Sequence, residues 1–158
     1  MALSVYLYKD LPDESLVGFY TTKPVVTSNL LTPIQLLDDE VLKILTLWFN
    51  SSLNLYQLLL NKDKCRKYHG WLEKDILDTL FILDIRTLTE NEKQEILANF
   101  EKVRHLDFPS FLNQYLTNFH GRTEIDKTIL KIMGYNEQES EELLDSLYDT
   151  LLEKLRNF

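Results

Sequence analysis

At 158 residues with 44% hydrophobic content, the chain has the length of one domain and enough apolar material to bury a core, and its single cysteine rules out an internal disulfide framework. A net charge of −8, from 25 acidic against 17 basic residues, argues against non-specific nucleic-acid binding by the surface as a whole. No basic stretch followed by a long apolar run opens the sequence, and the most apolar run is interrupted before the roughly 20 residues of a bilayer crossing, so a cytoplasmic chain with no membrane partner is expected.

The first thirty or so residues read as β structure. Leu3 to Tyr8 and Leu16 to Tyr20 are rich in β-branched and aromatic residues and are separated by Lys9-Asp10-Leu11-Pro12-Asp13, and Pro24-Val25-Val26-Thr27 follows as a third short strand. After Pro33 the period changes. Asp38 or Asp39 can cap a helix in which Val41, Leu42, Ile44, Leu45, Trp48 and Phe49 recur at three-and-four spacing, and which should run to about Leu60. Its middle carries Asn50, Ser51, Ser52 and Asn54. Serine and asparagine compete with a helix for its backbone hydrogen bonds, so this polar notch in an apolar helix needs a reason.

The segment from Asn61 to Gly70 is basic and reads as a loop, with Lys62, Lys64, Arg66 and Lys67 set against Asp63 alone and with Tyr68, His69 and Trp71 beside them. Two readings of it stand together. Cations and aromatic faces suit phosphates and bases, and cations at a helix C-terminus also complement its dipole. A helical turn is expected over Leu72 to Leu77. Thr89 and Glu92 have capping-box spacing before Ile96, Leu97, Phe100 and Val103, which predicts a helix from Glu90 to Arg104. Pro109 suits a first helical position, for a helix to about Phe119 ending near Gly121. Another helix is predicted from Arg122 to Met133 with Gly134 as its C-cap, and Asn136 with Glu139 opens the last one. In that last helix Leu143, Leu147, Leu151 and Leu155 form one row and Leu144, Tyr148 and Leu152 the next, opposite an acidic face. The row can pack on the domain itself or dock on a partner.

The expected fold is mainly α with a small N-terminal β element, an α+β arrangement of about five to six helices after two or three short strands. It forms a single domain over 1–158, with the β element in 1–33 and the helices in 34–158.

Catalytic signatures are scarce. Gly18, Gly70, Gly121 and Gly134 stand apart and suit turns or helix caps, so no phosphate-cradling loop is expected. His69, His105 and His120 lack ligand spacing with Cys65, and the carboxylates suit solvated helix faces. Arg122 and Asp126, four residues apart, read as a structural ion pair on one helix face.

Trp48-Phe49-Asn50-Ser51-Ser52-Leu53-Asn54-Leu55 resembles the Asn-Ser-then-Leu segment in the C-terminal, target-recognition part of adenine-specific (N6) DNA methyltransferases of restriction-modification systems. The order of the flanking features is similar to that family's as well. Phe19-Tyr20 and Lys23-Pro24 stand before the segment, the basic Lys62 to Trp71 turn after it, and Leu80-Phe81-Ile82-Leu83-Asp84 leads into Leu88-Thr89-Glu90-Asn91-Glu92 as the family's strand leads into a helix. Arg122-Thr123-Glu124-Ile125-Asp126, followed by Ile129 to Gly134 and by Leu147-Tyr148, resembles the closing unit.

Such enzymes flip an adenine and methylate it from S-adenosylmethionine, using a glycine-rich cofactor loop and an Asn/Asp-Pro-Pro-Tyr/Phe motif. Here Pro12, Pro24, Pro33 and Pro109 are all isolated, and neither motif is present. The resemblance therefore implies a non-catalytic DNA-recognition or accessory domain with no cofactor of its own, the S-adenosylmethionine belonging to a catalytic partner domain or subunit. On this reading Lys62, Lys64, Arg66, Lys67, Tyr68 and Trp71 contact DNA. Asn50, Ser51, Ser52, Asn54, Arg122 and Asp126 are the family-motif positions, the polar four either satisfying backbone of a neighbouring sheet or approaching DNA. The alternative, from another class, is a stand-alone helical protein–protein interaction module.

Overall fold

The computed structural model describes residues 3–8, 15–23, 31–36, 38–61 and 78–156. Strands β1 (Leu3–Tyr8), β2 (Gly18–Thr21) and β3 (Leu31–Leu36) form an antiparallel sheet in the order β2-β1-β3. The central strand pairs its Val5 with Tyr20 on one side and with Ile34 on the other. Strand alternation sends the fully buried Val5 and Leu7 into the core, while Tyr6 on the opposite face stacks on Phe19 at 5.5 Å. The strand expected at Pro24 to Thr27 lies outside the described residues. Pro33, where the helical half was expected to begin, instead sits within β3, an edge strand that tolerates a residue with no N–H.

Six α-helices follow among the described residues: α1 (Asp39–Phe49), α2 (Ser52–Asn61), α3 (Glu90–Val103), α4 (Phe111–Leu116), α5 (His120–Ile132) and α6 (Glu137–Arg156). The chain is mainly helical with a small antiparallel sheet near its N-terminus, as its periodicities predict. Asp38 caps α1 by accepting from the amides of Glu40 and Val41. Thr89 and Glu92 close the predicted capping box at the start of α3, and Asn136 and Glu139 exchange the same pair of bonds at α6. The stretch that resembles the family's leading strand joins no strand. Gln57 of α2 instead brackets the backbone of Phe81, and Asp84 caps a 3₁₀ turn over Ile85–Thr87.

Two glycines differ from their expected roles. Gly121 lies in the first turn of α5 rather than after a helix, and a Cβ there would come within 2.8 Å of the Phe119 and Leu106 side chains. Gly18 is a strand residue whose Cβ would meet the Tyr6 carbonyl oxygen at 2.7 Å. Gly134, at φ +95, ends α5 as predicted.

Helix α1 packs on the sheet and on α3, while α2 turns away to pack on α5 and α6. The last helix buries Leu144, Leu147 and Leu151 against its own domain, each worth roughly 1.5 to 3 kcal/mol of transfer free energy. Its apolar row is thus covered within the chain. Among the described residues no helix is long and apolar enough to cross a membrane.

Candidate functional site: a buried polar node and the groove beside it

The single long helix expected from Asp38 to Leu60 is in fact two, and the polar notch is the break. Asn50 ends α1 and Ser51 precedes α2. The Ser51 and Asn54 side chains then serve backbone groups at the break itself. The Ser51 hydroxyl donates to the Trp48 carbonyl at 2.8 Å and accepts from the Asn54 amide at 3.2 Å, while the Asn54 carboxamide donates to the Phe49 carbonyl at 2.7 Å. Asn50 reaches across to the sheet. Its Oδ1 accepts from the amides of Val17 (2.8 Å) and Gly18 (3.3 Å), and its Nδ2 donates to the carbonyls of Gly18 (2.8 Å) and Thr46 (2.9 Å).

Ser52 joins the break to α5 and α6. Its amide donates to Asp126 Oδ1 at 2.7 Å and its hydroxyl to Asp126 Oδ2 at 2.5 Å, while the Tyr148 hydroxyl donates to the same Oδ2 at 2.7 Å. The Tyr115 hydroxyl lies 2.8 Å from the Ser52 hydroxyl, and the two tyrosine rings meet edge to face at 5.1 Å. Burial holds the Asp126 carboxyl above the ordinary carboxylate range, against the opposing pull of the Arg122 charge and of the Ser52 and Tyr148 hydrogen bonds. Burial also pushes the Tyr115 hydroxyl up to about 12 and raises Tyr148, the latter helped by the Asp126 charge. A carboxyl bonded by hydroxyls from two other helices, at 2% exposure, holds three elements together.

The expected ion pair between Arg122 and Asp126 is not formed. Arg122 directs Nε and Nη2 to Gln114 Oε1, at 2.9 and 2.7 Å, and packs over the rings of Phe111 and Tyr115. Gln114 returns its own amide to the carbonyls of Ser15 and Pro109, both at 2.6 Å. A carboxamide offers the fork of N–H groups an acceptor without a second buried charge, and the arginine's own charge acts on Asp126 from a distance. Of the two alternatives for the polar four, the structure shows the first for Asn50, which satisfies the backbone of Gly18 in the sheet. Asn50, Ser51, Ser52 and Asn54 are all at most 3% exposed and bond backbone and core groups.

The structure therefore gathers all six family-motif positions into one region and adds Gln114, Tyr115 and Tyr148. Tyr148 had a signal in its Leu-Tyr context. Gln114 and Tyr115 had none, because a glutamine and a tyrosine in a short amphipathic helix look like surface residues. Lys62, Lys64, Arg66, Lys67, Tyr68 and Trp71 lie outside the described residues. His105 and His120 are exposed, and no group of residues suited to hold a metal occurs among the described residues.

Next to the node a cavity of about 590 Å³ opens between β2, α1 and the C-terminal end of α3. At its wall the Tyr20 hydroxyl donates to Asp39, which Lys43 pairs at 2.9 Å. Burial, followed by the hydrogen bond to Asp39, pushes the Tyr20 hydroxyl up to about 12, and the Tyr20 hydrogen bond, ahead of Lys43, holds Asp39 below its ordinary value. Comparison with known family models, with curated proteins and with solved structures found no match.

Proposed function

We propose that this chain is a non-catalytic, cytoplasmic DNA-recognition or accessory domain that works beside the catalytic part of an adenine-N6 DNA methyltransferase, which supplies the S-adenosylmethionine chemistry. The observation that carries the reading is convergence. The short motifs quoted for the resemblance are scattered from Phe19-Tyr20 to Leu147-Tyr148, yet Ser52, Asp126 and Tyr148, from three of them, meet through hydrogen bonds in one buried node, while Asn50 bonds the backbone of Val17 and Gly18 just before Phe19-Tyr20. Contact among three of the separated motifs supports the reading. The node fixes the start of α2, whose last residue, Asn61, immediately precedes Lys62, Lys64, Arg66 and Lys67 in the sequence. In this reading those four cations meet phosphates, with Tyr68 and Trp71 beside them.

Titration of a short labelled duplex at increasing salt tests it. Four phosphate contacts give a log–log salt slope of about −3 to −4, and replacing the four basic residues with alanine should abolish that slope without lowering the melting temperature. Absence of association at low salt, or an unchanged slope in the variant, would leave the protein-interaction module as the better reading.

A further inference from the structure

We propose that the outer edge of β2 is a docking site for an extended acidic peptide, which adds to the sheet as a further strand in the groove between β2 and the C-terminal end of α3. In an antiparallel strand the N–H and C=O of one residue point to the same side, and alternate residues point to opposite sides. Strand β1 occupies one side of β2. On the other side the Asn50 carboxamide takes both the N–H and the C=O of Gly18, so it stands where a peptide group of a neighbouring strand would stand. Tyr20 is in phase with Gly18. Its N–H and C=O therefore point to the same outer side, where the wall shared with Asn50 opens into the cavity of about 590 Å³.

Sheet edges are usually blunted, whereas among the described residues only Gly18 of β2 has its outer side taken, and a chamber with Leu47 and Val103 on its walls lies beside the rest. That is the arrangement of strand addition, in which backbone bonds give affinity and side-chain pockets give selectivity. Charge selects the partner. Lys23, Lys43 and Arg104 line the groove with Asp39, and Glu101 bonds both Lys43 and Arg104, which leaves the groove one positive charge in excess in a chain whose net charge is −8. The Arg104–Glu101 pair is exposed enough to exchange partners for an incoming carboxylate, and Lys23 is exposed beside it. The inference is independent of the DNA reading.

The test is an amide-resolved NMR titration of the full chain with a capped alternating Glu-Val pentapeptide, its Lys-Val counterpart, and a Glu-Val version N-methylated on its backbone. The Glu-Val peptide should shift the Tyr20 and Thr22 amides saturably and bind about tenfold more tightly than the Lys-Val peptide, and N-methylation should abolish the shifts. Replacing Arg104 and His105, both exposed, with alanine should weaken the Glu-Val peptide severalfold in a protein that keeps its spectrum. The proposal is overturned by no saturable shift, by equal binding of the lysine peptide, by indifference to N-methylation, or by shifts confined to another face.

Discussion

Two carboxylates illustrate how the environment decides what one residue type does. Asp126, enclosed by Ser52, Tyr148 and the field of Arg122, is raised by burial, so its folded form holds its proton more tightly than the unfolded chain. The stability it contributes is complete below the ordinary value of 3.8 and is lost as pH rises through the higher folded value. Asp39 has the opposite sign. Its hydrogen bond from Tyr20 and its pairing with Lys43 lower it, so its contribution is present above 3.8 and is lost as pH falls through the lower folded value. Melting temperatures across pH 3 to 8 should therefore show the deficit of Asp126→Asn shrinking as pH rises and that of Asp39→Asn growing. An Asp126→Asn deficit that grows with pH would mean that the carboxyl is stabilised as its anion, contrary to the burial argument.

At the scale of elements, what the sequence makes legible is whatever depends on neighbours along the chain. The Thr89 and Glu92 box, the Asn136 and Glu139 box and the Gly134 stop act within three or four residues, and all three are where the spacing places them. Thr89→Ala should accordingly lower stability by about 1 kcal/mol in chemical denaturation, with no change in the denaturant slope. What stayed hidden depends on distant partners. The break at Asn50 and Ser51 reads in the sequence as a polar notch in one helix because the groups that complete it, Gly18 and Asp126, lie 32 and 74 residues away from the notch residues they bond. The Arg122 and Asp126 spacing suggested a pair because four residues make one turn, but Gln114, from another helix, took the guanidinium. Pro33 suggested the end of β structure, although an edge strand has room for it.

For the whole molecule, the break between α1 and α2 divides the helices between two jobs. Helix α1 stays on the sheet and α3, α2 goes to α5 and α6, and the polar node ties the two groups at their junction. The notch residues act as internal fastenings, so the proposed contact with DNA rests on the basic segment and the proposed contact with peptides on the β2 edge. The central claim is that the notch is committed to the interior, and native-state hydrogen exchange of the Ser52 amide tests it most directly. An amide at the first position of a helix normally has no intrahelical partner and exchanges quickly. Because Ser52 donates to Asp126 in the core, its amide is predicted to exchange only with the free energy of global unfolding, together with those of Val17 and Gly18. Exchange at the rate of an open turn would contradict the account.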